Sequence, residues 1–163
     1  MVLVEATAQQ FPIIRELAYK IWPHTYGATH SQESLDYMLG TFYALSALEQ
    51  QKEQGHVFIL AQKADTFIGF VSYELHAEGS LATKIHKLYV LPEVQGTGVG
   101  KALVAYVIHQ AKVHHDTTLY LNVNKQNSAI SFYKKNGFEI IKDIVIDIGA
   151  GFIMDDYVME LIL

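Results

Sequence analysis

The segment Gln95-Gly96-Thr97-Gly98-Val99-Gly100-Lys101 constrains this chain more than any other. It follows an apolar run, Ile85 to Leu91, that reads as a strand ending at Pro92. It opens a segment, Val99 to Lys112, that reads as a helix. Val99, Leu103, Val104, Val107, Ile108 and Ala111 fall on one face of a helical period. A strand, a glycine loop and a helix N-terminus in that order point unpaired N–H groups, and the positive end of a helix dipole, at one spot. Such a spot binds phosphate. The glycines let the backbone approach the anion with no Cβ in between.

Three loop grammars compete for the ligand. A Walker A loop needs a glycine five positions before Gly100, where Gln95 stands, and Ser or Thr after the lysine, where Ala102 stands. A dinucleotide fingerprint needs G-x-G-x-x-G and an acid about 20 residues on. Here the glycines fall at 96, 98 and 100, with Thr117 and Thr118 near the acid's place. The spacing Gln-x-x-Gly-x-Gly, after a strand ending Leu88-Tyr89-Val90-Leu91-Pro92-Glu93, resembles the pyrophosphate loop of GCN5-related N-acetyltransferases. In that family the loop cradles the pyrophosphate of acetyl-coenzyme A.

Composition bounds the rest. The 163 residues, half of them hydrophobic, suit one domain with a sizeable core. There are no cysteines, which excludes disulfides and thiolate metal sites and fits a reducing compartment. Met1-Val2-Leu3-Val4-Glu5 lacks the basic region and long apolar core of a signal peptide. No run approaches the ~18 apolar residues of a membrane span. A cytoplasmic location with no membrane partner is therefore expected. The net charge of −5 argues against a nucleic-acid partner and leans toward a cationic substrate. His56, His76 and His109 have no partners at ligand spacing, and no metal is expected.

Along the chain, Val2 to Ala6 reads as a short strand, and Thr7 caps a helix that Trp22-Pro23 ends. His24 to His30 reads as a polar and aromatic loop. Ser31 starts a helix buried through Leu35, Met38, Leu39 and Phe42, and another runs from Leu45 to Gln54. His56 to Gln62 and Thr66 to Leu75 form a hairpin around Lys63-Ala64-Asp65. Thr117 to Asn124 alternates as a strand. Asn127 or Ser128 caps a short helix that stops at Gly137, and Phe138 to Ile148 and Phe152 to Leu163 close the chain as a hairpin. One mixed α/β domain over residues 1–163 results, with the strands before and after the long helix parallel.

A second block strengthens the resemblance. Asn127, Ala129, Phe132, Tyr133, Gly137 and Phe138 approximate the family's Asn-x-x-A-x-x-x-Tyr-x-x-x-Gly-Phe spacing. The resemblance implies a mixed, mostly antiparallel central sheet flanked by helices, with two parallel strands splayed apart. It implies that backbone groups of Leu88 and Val90 hold the pantetheine arm and thioester carbonyl. Gln95 and the amides of Gly96, Gly98, Val99, Gly100 and Lys101 would hold the pyrophosphate. Asn127 would bond the arm, and Tyr133 would donate a proton to the coenzyme A sulfur.

Acetyl transfer to an amine needs a neutral amine, a stabilised oxyanion and a proton for the departing thiolate. A phenol is protonated at neutral pH and can supply that proton. For the base, many family members place a Glu on the strand before the loop, but Thr83 to Tyr89 holds no acid. His86 is the candidate there, with Glu74, Tyr89, Asp155 or a water chain as alternatives. The acceptor pocket is expected between the helix pair from Tyr19 to Phe42 and the final hairpin. Trp22, Tyr26, Glu33 and Tyr37 would line it from one side. Asp155, Asp156 and Tyr157 would line it from the other, with Asp155 as the substrate-binding acid. Lys87, Lys101, Lys125 and Lys134 would make the donor side basic. Trp22 to Tyr43 is also similar to the spermidine/spermine-acetylating branch, which implies a small primary amine, a polyamine among the candidates. Rival readings are a protein or peptide N-terminal acetyltransferase and a coenzyme A-binding sensor without turnover. The apolar last strand, with Val158, Leu161, Ile162 and Leu163, suits either a homodimer or an internal sheet position.

Overall fold

The computed structural model describes residues 1–163. Seven strands form one sheet: β1 (Val2–Glu5), β2 (His56–Lys63), β3 (Thr66–Glu74), β4 (Ala82–Val90), β5 (Thr118–Asn124), β6 (Glu139–Gly149) and β7 (Phe152–Ile162). Their order is β1-β2-β3-β4-β5-β7-β6, and every neighbouring pair is antiparallel except β4 and β5. Five α-helices flank it: α1 (Phe11–Tyr26), α2 (Gln32–Phe42), α3 (Leu45–Glu53), α4 (Val99–Val113) and α5 (Ala129–Lys135). No helix is long and apolar enough to cross a membrane.

Strand alternation sorts the helices onto two faces. Phe70 of β3 meets Tyr43, and its partner Tyr89 meets Trp22, so α1 to α3 cover that face. Tyr73, three residues on from Phe70, meets Tyr106 of α4 on the other face. The apolar stripes read from the sequence are the buried ones: Ile14, Leu17, Ala18 and Ile21 in α1, and Leu103, Val104, Val107 and Ala111 in α4.

The feature that makes a site is a break in the sheet. β4 and β5 pair only from Ala82↔Thr118 to Ile85↔Leu121. Beyond that, β4 keeps pairing with β3 to Val90↔Gly69, while β5 keeps pairing with β7 to Asn124↔Asp156. The two strands diverge because β4 carries an extra residue. Its register with β3 runs from Tyr73↔Ile85 to Ser72↔Lys87, which leaves His86 unmatched, and such a bulge bends the strand that holds it.

Two elements depart from expectation. Helix α1 does not end at Trp22-Pro23: it runs through Pro23 to Tyr26, with Gly27 N–H reaching Pro23 O at 2.9 Å. Packing overrides the proline, because Trp22 and Tyr26 are both buried with ring centroids 4.8 Å apart. His24 to Tyr26 are therefore helical, and Tyr26 is held on a rigid element. The apolar β7 lies between β5 and β6, so an internal sheet position accounts for its apolar residues.

Candidate active site

The glycine loop leaves the donors that its sequence promised. The first hydrogen bond of α4 runs from Ala102 N–H to Gly98 O at 3.0 Å. The amides of Val99, Gly100 and Lys101 consequently have no intrahelical acceptor. Gly96 and Gly98 donate to no backbone carbonyl either, whereas Thr97 N–H turns back to Val94 O. Gly96 and Gly98 have positive φ of 78° and 94°, which a side chain rarely adopts, and a Cβ on either would meet no protein atom within 4 Å. That open space in front of bare amides fits a diphosphate. Gly100 has another reason to be glycine: its Cβ would lie 3.3 Å from Phe132 Cζ. The Gln95 side chain ties the loop to β4, with Nε2 donating to Val90 O at 3.3 Å.

A cavity of about 820 Å³ runs from this loop through the fork to the α1–α2 face. Gln95, Gly96, Gly98, Gly100, Lys101, Ser128, Ser131 and Lys135 line the loop end. Leu88, Val90, Leu121 and Val123 line the fork. Trp22, Tyr26, Met38, Phe42, Tyr43, Ile146 and Met154 line the far end.

Helix α5 places the central groups. Asn127 caps it, with Oδ1 accepting from Ala129 N–H at 2.8 Å, and its Nδ2 donates to Tyr26 Oη at 3.4 Å. Tyr26 Oη and Tyr89 Oη are 2.8 Å apart, so α1, β4 and the start of α5 are tied by three polar groups. Tyr133 lines the cavity between Phe132 and Phe138, whose ring centroids lie 5.4 and 5.6 Å from its own. Burial, with Tyr26 nearby, pushes the Tyr133 phenol above its usual range, and burial raises Tyr26 to about 12. Both phenols keep their protons at any working pH.

His86 lines the cavity, but its chemistry is not that of a poised base. Its Nε2 is 2.9 Å from Glu74 Oε1, and its ring stacks on His56 with centroids 3.8 Å apart. Burial, then Lys84 and Lys87, pushes His86 down to about 3, and burial with His86 and Lys87 beside it pushes His56 down to about 4. An imidazole so depressed is a feeble proton acceptor. The sequence shows no ligand spacing for these residues, yet β2, β3 and the bulge bring His56, Glu74 and His86 within 4.8 Å of one another. Two lysines beside the group oppose a divalent cation there.

The expected acidic wall is also rearranged. Trp22 and Tyr26 reach the cavity, whereas Glu33, Tyr37 and Asp155 do not line it. Glu33 is exposed on the first turn of α2. Tyr37 Oη donates to Ile148 O at 2.6 Å, which pins α2 to the final hairpin. Asp155 is held by Lys125 Nζ at 3.1 Å, and the same ammonium lies 2.9 Å from Asp143. Lys125 is thus committed to that surface group. Lys87 belongs to the α1–α3 face, its Nζ donating to Gln51 Oε1 at 2.9 Å and lying 5.4 Å from the Tyr43 ring centroid. Burial, with Lys84 nearby, lowers it to about 8. Lys135, not Lys134, lines the loop end.

The lining carries one carboxylate, and it is Asp156. Asp156 is 1% exposed, and neither of its oxygens is hydrogen-bonded to another group of the protein. Burial, with Asp155 adjacent, raises it to about 6 against the pull of Lys84. Alternation puts the two acids on opposite faces without choosing between them: Asp156 shares one with Met154 and Val158, and Asp155 shares the other with Ile153 and Tyr157.

A bulged, forked parallel pair with bare helix-end amides at its mouth is a frame that can hold a diphosphate-linked arm between two strands. Residues 27–160 match the family model described as the acetyltransferase (GNAT) domain, and the chain belongs to that family. Peptidyl-lysine N-acetyltransferase YjaB of Escherichia coli is 28% identical over 121 residues, 74% of this chain and 72% of that protein. Mycothiol acetyltransferase of Streptomyces griseus is 35% identical over 82 residues, half of this chain but only 26% of that protein. Among solved structures, PaiA N-acetyltransferase from Thermoplasma acidophilum in complex with coenzyme A aligns over all of both chains at TM-score 0.81 and 24% identity. A GCN5-related N-acetyltransferase from Rhodopseudomonas palustris aligns at TM-score 0.85 and 16% identity.

Proposed function

We propose that residues 1–163 act as one N-acetyltransferase domain that transfers the acetyl group of acetyl-coenzyme A to a primary amine of a small molecule. The observation that carries this reading is the fork: its gap joins the bare amides of the glycine loop to the Tyr133 phenol and opens into one cavity. Amides of Gly96, Gly98, Val99, Gly100 and Lys101 hold the diphosphate, and the edge of β4 left free by the fork, at Leu88 and Val90, holds the pantetheine arm. Acetyl-coenzyme A supplies an activated thioester. Tyr133 gives its proton to the departing sulfur. Transfer is direct in this reading, and the chain has no cysteine thiolate that could carry the acetyl group as a thioester.

The far end of the cavity favours a small acceptor over a peptide. Tyr37 pins α2 to the final hairpin, and Trp22, Tyr26, Phe42 and Tyr43 close the space with aromatic rings. Charge favours one ammonium over several. The lining holds Lys84, Lys87, Lys101 and Lys135 against Asp156 alone, so a polyamine would bring cations that nothing balances. The relatives' names, mycothiol and peptidyl-lysine acetyltransferase, differ in acceptor and choose none for this chain.

The test is thiol release from acetyl-coenzyme A with 2-phenylethylamine, spermidine and a lysine-containing peptide. The monoamine is expected to be acetylated fastest. Coenzyme A binding with no acetylation of any amine would make the protein a sensor. His86→Ala is expected to leave the acid limb of the kcat/KM pH profile where the wild type has it, because a group near 3 does not titrate in that range. A displaced limb would restore His86 as the base.

A further inference from the structure

A carboxylate buried without a protein partner is costly, and a catalytic or ligand-binding role is one reason for a fold to keep it. Asp156 is the case in this molecule. It lies on β7 at the end of the β5 pairing, opposite Asn124, with Ile144 of β6 as its other neighbour. Its own chain neighbour Asp155 turns away to Lys125. Asp156, Tyr26 and Tyr133 all line the one cavity that joins the fork to its aromatic end.

The geometry points to Asp156 as the residue that binds the ammonium of the acceptor and takes its proton, the acceptor being a primary monoamine with an aliphatic or aromatic body. This rests on the acetyl-transfer reading. The two bare oxygens accept N–H donors from the ammonium. The rings of Trp22, Phe42 and Tyr43, with Met38, surround the body. One N–H proton passes to Asp156, which becomes a neutral acid, and the freed nitrogen lone pair attacks the thioester carbonyl. The C–N bond forms and the C–S bond breaks. The thiolate takes the Tyr133 proton, and the phenolate recovers one from the new amide nitrogen. The proton on Asp156 leaves to solvent when the product departs. The groups acting on the Asp156 charge are Asp155, which raises its affinity for a proton, Lys84, which lowers it, and the neutral phenol of Tyr26. A carboxyl near 6 is a stronger base than an ordinary one and still ionised at neutral pH.

Asp156→Asn tests this, with three readouts. The kcat/KM for 2-phenylethylamine is expected to fall by about 100-fold or more, and the acid limb near pH 6 to disappear from the residual activity. Coenzyme A affinity is expected to stay unchanged. The melting temperature near pH 7.5 is expected to rise by about 3–6 °C. The folded carboxyl is raised from 3.8 to about 6, so the folded state favours the protonated form. Stability from that preference is present below the unfolded value and is lost as pH rises through the folded one. The gain from Asn should therefore shrink at acid pH. A merely structural aspartate would lower the melting temperature when replaced. Retained kcat/KM with an intact acid limb overturns the proposal. Should the wild type acetylate no amine, the acetyl-transfer reading fails, and the subsite is judged by titrating 2-phenylethylamine into the coenzyme A complex. Binding by the wild type that Asp156→Asn abolishes supports it; equal binding, or none by the wild type, overturns it.

Discussion

Tyr133→Phe is expected to lower kcat by about 100-fold or more while coenzyme A affinity stays within about twofold. The phenol is 6% exposed and faces the cavity at the fork. Its ring is fixed by Phe132 and Phe138, so phenylalanine keeps the packing and removes one hydroxyl. The raised pKa keeps the donor protonated throughout the working range, so loss of rate should be equal at all accessible pH values. The split is diagnostic. A group that only shapes the site changes KM and coenzyme binding. A proton donor to the sulfur changes kcat alone. Steady-state kinetics with calorimetric titration of coenzyme A make the measurement, and an undiminished kcat removes Tyr133 from the acid role.

Gly98→Val should abolish coenzyme A binding in the working range, a loss of about 100-fold or more, with the fold intact. Two effects add. Valine at φ +94° is strongly disfavoured, which shifts the loop and scatters the amides. Its side chain also enters the open space in front of those amides, where no protein atom lies within 4 Å. The strain costs on the order of 1–3 kcal/mol, so a fall of a few degrees in melting temperature is expected, but not unfolding. Gly100→Ala probes something else, because its Cβ presses on Phe132 at 3.3 Å and disturbs α5 packing first. If Gly98→Val bound coenzyme A as the wild type does, the cradle would lie elsewhere.

What was legible in the sequence is what local chemistry determines. Strand, glycine loop and helix are contiguous, and the donors they leave follow from helix geometry without tertiary information. The Asn127 cap and the apolar faces of α1 and α4 are local in the same sense. The acceptor end was less legible because it is assembled from distant segments. Tyr26 reaches Tyr89 and Asn127 only because buried packing carries α1 through Pro23, where backbone propensity alone would stop it. Choosing Asp156 over Asp155 required knowing which face of β7 is covered, and that depends on pairing with Asn124. The depressed imidazole of His86 reflects burial against β2 and β3, which its own neighbours do not reveal, and then Lys84 and Lys87, which they do.

The account depends most on where the coenzyme lies, and a crystal structure of the protein soaked with coenzyme A tests it most directly. The expected result has the diphosphate on the amides of Gly96, Gly98 and Val99 to Lys101, the arm between β4 and β5, and the thiol within reach of the Tyr133 hydroxyl. Ligand density away from the fork, or a sulfur that the phenol does not approach, would contradict it.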